Sequence, residues 1–242
     1  MGVRVPPADE SAVRVLLVVD REMLAGVIQL ALNHGRATTR VASTVTDGVA
    51  TLATWRPHLA ILDLDLVDGE FLDGLGGTPL GGARIPVIGL TRRGDLKAKL
   101  LAFERGVDDL LTVPFAPEEL VARTVAVLRR TYRVSFPFAP VLRLGELEID
   151  ILTRSVRIGG HELHLSSLEQ GLLYLLAANA GRVVTRDEIL DHLWGTDFVA
   201  ESNVVDRHVR ALRIKLQDDW RRPRYISTVP GQGYRFVPTA AD

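Results

Sequence analysis

The 242-residue chain contains no cysteine, which excludes disulfides, thiolate metal sites and a cysteine nucleophile. It has little excess charge of either sign: 29 basic and 30 acidic residues leave a net charge of −1. The basic residues are almost all of one type, 26 arginines against three lysines, an imbalance that a GC-rich coding sequence explains by itself. No apolar run approaches the ~18 residues of a membrane-spanning helix, so no membrane partner is expected. The start of the chain carries Pro6, Pro7, Asp9 and Glu10 ahead of a short apolar run. That is a poor secretion signal, and a cytoplasmic location is expected. No nucleophile elbow or zinc-protease motif occurs, and the segment Gly74–Gly77 lacks the lysine of a phosphate loop. His161 and His164 lie three apart with no third ligand in spacing, which favours solvent-facing strand positions over zinc ligands.

What is present is a core-forming composition, 47% hydrophobic and 24% charged, at a length that suits two ordinary domains. Residues 1–12 show no periodicity and read as a loose tail. Apolar runs at Val13–Val19, Leu59–Leu62, Ile85–Leu90 and Val107–Val113, with the β-branched stretch Thr38–Ala42, read as five strands. They alternate with helical patterns at Met23–Ala31, Val49–Trp55, Leu96–Phe103 and Pro117–Arg130. Near-continuous apolar strands of this kind are buried on both faces, and the alternation predicts an α/β domain over 13–130 with a doubly wound parallel sheet. The glycine-rich stretch Gly69–Gly82, six glycines in fourteen residues, reads as flexible rather than as a third firm helix.

Residues 131–141 hold two prolines and no helical pattern, and read as a linker. From 142 to 238 the rhythm changes to an α+β pattern. Alternating strands come first, then helices at Ser167–Ala178, Thr185–Trp194 and Ser202–Leu216, then a hairpin around Pro230-Gly231-Gln232-Gly233. Ser166 or Ser167 caps the first of these helices, and Thr185 with Glu188 makes a capping box at the second. Three helices and a terminal hairpin make a winged helix-turn-helix. Charge segregates within this domain. Leu142–Ser202 has 5 basic and 10 acidic residues; Asn203–Arg235 has 8 basic and 3 acidic. Such asymmetry signals a partner that the total charge conceals.

Asp20 and Asp63 end two parallel strands and Thr91 ends a third, where ligands of such sheets bind. The runs Leu16–Asp20, Pro57–Leu66, Ile85–Thr91 and Gly106–Phe115 resemble the receiver domain of bacterial response regulators, a flavodoxin-like fold. Thr185–Gly195, Val204–Leu216 and Thr228–Phe236 resemble the DNA-binding domain of the OmpR/PhoB branch. The resemblance spans almost the whole chain. It implies Asp63 as phosphoacceptor, Asp20 as half of an acidic pair, and Thr91 as the switch hydroxyl. The sequence departs from the pattern at the chemistry. Arg21 stands where the second acid is expected, Val113 replaces the lysine before Pro114, and Leu110 replaces an aromatic. Arg21 cannot ligate a metal and Val113 cannot pair with an acyl phosphate. Magnesium binding and phosphorylation are therefore expected to be weak or absent, with no other cofactor. Arg21 either pairs with Asp63 in place of the cation or points to solvent.

In the last helix, Asn203, Arg207, Arg210 and Ile214 recur on a face opposite the apolar set Val205, Val209, Leu212 and Leu216. The resemblance implies that Asn203, Arg207, Arg210 and Ala211 face the major groove of double-stranded DNA, with His208 near phosphate and Arg213 flanking. Ala211 could touch a thymine methyl but cannot read guanine. Pro230 stands where an arginine is common in the wing, leaving Thr228, Gln232 and Arg235 as its contacts. Trp194 and Tyr234 suit packing better than base stacking. The resemblance further implies a homodimer through the receiver, with Lys99 facing Glu119 and Asp109 facing Arg123, unless these are pairs within one chain. Half-sites about one helical turn apart would follow. A small organic ligand at the receiver and RNA polymerase are the remaining partners considered. The expected function is a phosphorylation-independent transcriptional regulator. The rivals are a conventional phospho-switch at Asp63 and a flavodoxin-like enzyme, the latter lacking a base, a cofactor fingerprint and a metal partner.

Overall fold

The computed structural model describes residues 13–33, 37–76, 84–92, 96–132, 141–151, 153–194 and 203–237. They form two compact units that part near residue 140. The first is a five-stranded parallel sheet in the order β2-β1-β3-β4-β5. Its strands are β1 (Val13–Val18), β2 (Ala37–Ala42), β3 (Leu59–Asp63), β4 (Val87–Thr91) and β5 (Asp109–Thr112). The connecting helices are α1 (Glu22–Leu32), α2 (Val45–Trp55), α3 (Gly69–Gly76) and α4 (Leu96–Glu104), with α5 (Pro117–Tyr132) last. Every residue of β3 and β4 is buried, as the apolar runs require of strands covered on both faces. Leu16, Val18, Leu62, Phe71, Leu72 and Leu75 belong to one core cluster.

Two expectations need correction. The third helix exists: Asp68 Oδ1 accepts a hydrogen bond from Phe71 N at 2.9 Å and so caps it, and Phe71, Leu72 and Leu75 bury one side. Those three contacts outweigh the glycine cost of roughly 1 kcal/mol per residue. The rest of Gly69–Gly82 lies outside the described residues. Likewise α5 runs on to Tyr132, and the next strand starts at Val141, so only 133–140 of the expected linker remains, also outside the described residues.

Tyr132 is drawn into the fold because its hydroxyl donates to His58 O at 2.9 Å. His58 is itself buried, and its Nδ1 accepts from Arg14 N at 3.0 Å. Burial, and then the charge of Arg14, lower the His58 pKa to about 4. Below pH 6.5 the unfolded chain takes up a proton that the folded chain refuses, so stability falls between pH 6.5 and 4. We expect the wild type to lose about 1–2 kcal/mol by pH 5 in urea unfolding, part of the ring still being wetted. His58→Asn keeps an acceptor and should flatten that slope; an equal slope in the variant refutes the assignment.

The second unit opens with an antiparallel sheet of β6 (Val141–Leu144), β7 (Leu147–Asp150), β8 (Ser155–Ile158) and β9 (His161–Leu163). Three helices follow: α6 (Ser167–Ala178), α7 (Arg186–Trp194) and α8 (Val204–Leu216). Capping boxes start α6 and α7: Ser166 N–H donates to Glu169 Oε2, and Thr185 N–H to Glu188 Oε2, each at 2.7 Å. The hairpin β11 (Ile226–Val229) and β12 (Gly233–Phe236) is joined by a strand the sequence analysis missed, β10 (Val183–Thr185), giving the order β10-β12-β11. Gly233 permits this, because a Cβ there would lie 2.1 Å from Val184 O. The architecture is a receiver-type α/β domain followed by a winged helix, as expected.

Candidate functional site

The carboxyl ends of β1, β3 and β4 bring Asp20, Asp63 and Thr91 to one edge of the sheet. Asp63 is the buried member, its side chain 3% exposed. Both of its oxygens are engaged. Oδ1 accepts from Asp65 N at 3.0 Å, and Oδ2 accepts from Arg21 Nη2 at 2.9 Å. Of the two readings of Arg21, the structure has the ion pair. The short turn after Asp63 closes on itself, with Leu66 N and Val67 N both donating to Asp63 O at 3.0 Å. Asp20 and Glu22 are exposed, Thr91 is buried, and Val113 N donates to Thr91 O at 2.9 Å. Leu110 packs over Gly89, where a Cβ would meet it at 2.8 Å. Among the described residues, no three His, Cys, Asp or Glu side chains gather as a metal site. His161 and His164 are exposed.

The inner face of α8 is as predicted: Val205, Val209, Leu212 and Leu216 are buried. Asn203, Arg207, Arg210 and Ile214 are exposed on the outer face. Asn203 is the N-cap residue of α8, without a side-chain capping bond. Ala211 is half-buried between the two faces. His208 is half-buried against Trp194, ring centroids 5.4 Å apart. Thr228, Gln232 and Arg235 are exposed on the hairpin.

Arg213 is a different matter. Its Nη2 donates to Ile226 O at 2.7 Å and to Thr228 Oγ1 at 2.9 Å, so it braces the helix against the hairpin. The aromatic ring of Tyr234 lies 5.7 Å from this guanidinium and 5.0 Å from that of Arg186. The Tyr234 hydroxyl donates to Asp206, which also pairs with Arg186 at 2.9 Å. Burial and then the bond to Asp206 push the Tyr234 pKa up to about 12. Tyr234 is thus a packing residue, as expected.

The excess positive charge of this segment is sorted by the fold. Lys215 pairs with Glu169 at 2.6 Å and Arg224 with Glu146 at 2.7 Å, and Arg213 is turned inward. Arg207, Arg210, Arg221, Arg222 and Arg235 stay exposed. The turn after α8 is held by Asp218, whose carboxylate accepts from Arg224 N at 2.6 Å, Tyr225 N at 3.3 Å and Ile226 N at 2.8 Å. In the sequence the only signal of Asp218 is an acid just past the end of a helix; in the fold it is buried, 8% exposed.

Residues 160–236 match the family model described as "Transcriptional regulatory protein, C terminal". The transcriptional regulatory protein TrcR of Mycobacterium tuberculosis is 35% identical over 97% of this chain and 91% of its own. The KDP operon transcriptional regulatory protein KdpE of Escherichia coli is 34% identical over 92% of this chain and 98% of its own. The chain belongs to the OmpR/PhoB family of response regulators. It is a DNA-binding transcriptional regulator. The crystal structure of the response regulator DrrB, a Thermotoga maritima OmpR/PhoB homolog, is 31% identical over 93% of this chain and 98% of that one, with a TM-score of 0.43. No helix of the described residues of the regulator is long and apolar enough to cross a membrane.

On the receiver of this regulator, Arg123 is satisfied within its own chain. It reaches both oxygens of Asp109 at 3.0 Å and Glu119 Oε1 at 2.7 Å. The cross-subunit partner foreseen for Asp109 is therefore already an intrachain partner. Lys99 is half-buried on α4. The same helix exposes Leu96, Leu100 and Phe103, at i, i+4 and i+7, to 71%, 53% and 46%.

Proposed function

We propose that this regulator acts in the cytoplasm on double-stranded DNA as a homodimer, without phosphorylation of Asp63, and takes its input from a small organic ligand at the receiver. The observation that carries the reading is the 2.9 Å bond from Arg21 Nη2 to Asp63 Oδ2. A phosphoacceptor carboxylate needs a divalent cation to draw in a phosphoryl group, because two anions otherwise repel. Here a guanidinium of fixed charge stands beside the acceptor, Asp20 is exposed, and Val113 offers no cation to an acyl phosphate. This donor set does not fit magnesium. The second reading, a conventional switch, draws on Asp63 and Thr91 ending adjacent strands.

One assay decides between them. The full chain is incubated with acetyl phosphate and magnesium and its intact mass measured. No phosphoryl adduct is expected on the wild type, and an adduct is expected on the doubly altered Arg21→Asp, Val113→Lys chain. An adduct on wild-type Asp63 overturns the proposal.

The dimer contact proposed is the exposed apolar face of α4, with the Asp109–Arg123–Glu119 cluster fixing orientation more than affinity. Leu100→Glu should shift sedimentation of the full chain to monomer. Unchanged sedimentation refutes this contact. RNA polymerase is a further partner for the DNA-bound form.

A further inference from the structure

A cavity of about 250 Å³ opens beside the Asp63 edge, between the turn that follows β3, α3 and α4. Asp63 does not line it. Its apolar wall includes Val67, Leu72, Ala102 and Leu110, and Thr91 lies at the sheet end. Two carboxylates and two cations complete the lining: Asp65, Asp68, Lys99 and Arg105. The carboxylates are already committed within the chain. Asp65 pairs with Arg92 at 3.2 Å, and Asp68 caps α3 through Phe71 N at 2.9 Å. Among the described residues neither Lys99 nor Arg105 has an ion-pair partner. The Arg105 guanidinium lies over the backbone of Gly69, where a Cβ would sit 1.8 Å from Nη1. With Asp65 neutralised by Arg92, Asp68 set against Lys99 and Arg105 leaves the cavity one positive charge in excess, and its wall is apolar. Leu110 contributes to that wall directly, where an aromatic hydroxyl would have made it polar.

We propose that this cavity binds a small organic carboxylate with an apolar body, its anion between Lys99 and Arg105 and its body against Val67, Leu72 and Leu110. The proposal rests on the reading of the receiver as ligand-responsive, and names the place and the chemistry. The volume equals that of roughly eight liquid waters, which limits the ligand to a compact acid. A ligand seated there touches α3, α4 and the end of β4 together. It would favour whichever position of α4 completes those contacts, and so bias the helix that carries Leu96, Leu100 and Phe103.

The test is calorimetric titration of the full chain with hexanoate, phenylacetate and indole-3-acetate, each beside its amide. At least one acid should bind saturably at one site per chain, with its amide at least tenfold weaker. Lys99→Gln, at a half-buried position, and Arg105→Gln, at an exposed one, should each weaken that acid at least fivefold. Ala102→Phe should fill the cavity and abolish binding, with circular dichroism checking that it folds. No saturable binding by any of the three acids overturns the proposal. So does binding that all three variants leave unchanged. The broader reading fails separately: saturable binding that leaves both sedimentation and DNA affinity unaltered keeps the site and removes its regulatory role.

Discussion

Arg207→Ala is expected to weaken binding to a DNA site selected by the full chain from a random pool by about 5- to 150-fold, or ~1–3 kcal/mol. The residue is exposed on α8, one turn in from the start of the helix, where a recognition helix presents its side chains to base edges. If Arg207 reads a base, the loss comes with relaxed preference at one position of the site. Arg210→Ala should behave differently. If Arg210 meets only phosphate, a contact blind to sequence, the loss is uniform across sites and the salt slope of log K falls by about 1. Arg213→Ala is a third case. It removes a brace rather than a contact, so it should lower the unfolding midpoint of the protein as well as DNA affinity. Mobility shifts across a salt series, run beside urea unfolding, separate the three. An unchanged footprint with Arg207 and Arg210 both removed refutes the assignment of α8.

Arg21→Ala should cost about 2–3 kcal/mol of stability, because it strands a carboxylate that is 3% exposed. The loss stays below that of a fully buried pair because Arg21 itself is 26% exposed. Asp63→Asn should cost clearly less, under about 1 kcal/mol. A neutral amide tolerates burial, its oxygen can still accept from Asp65 N–H, and the guanidinium left behind can turn to water. The asymmetry between partners is the informative result. Equal losses, or no loss in Arg21→Ala, would show that the pair does not hold this edge of the sheet together. The measurement is urea unfolding at neutral pH, where the His58 contribution is constant.

The parts of the fold legible in the sequence are those whose signal is local. Strands buried on both faces announce themselves as unbroken apolar runs, and the two capping boxes need only residues three apart, Ser166 with Glu169 and Thr185 with Glu188. The apolar set of α8 follows helical spacing and buries as written. What escaped was set by residues distant in sequence. Arg213 looks like Arg210 on a helical projection, yet its partners lie 13 and 15 residues further on. Arg21 and Asp63 are 42 residues apart, so pairing and solvation were equally consistent with the sequence. Arg123 has both partners in its own chain, which a reading of charge alone cannot separate from a contact across a dimer. The third helix was hidden by its glycines, although Asp68 and the run Phe71, Leu72, Leu75 carried the cap and the buried side. The strand Val183–Thr185 is too short to show a period. The cavity beneath α4 has no sequence signature, since its lining comes from four separate elements.

The brace of Arg213 and the turn fastened by Asp218 hold α8 and the hairpin at a fixed separation. Reading helix and hairpin behave as the two jaws of a rigid caliper: the distance between what α8 touches and what Thr228, Gln232 and Arg235 touch is set by the protein. DNA must supply grooves at that spacing, and a stretch that is too wide or too narrow pays in bending rather than in lost contacts. Base pairs lying between the jaws, which no side chain reaches, should then influence affinity through their stiffness and groove width alone.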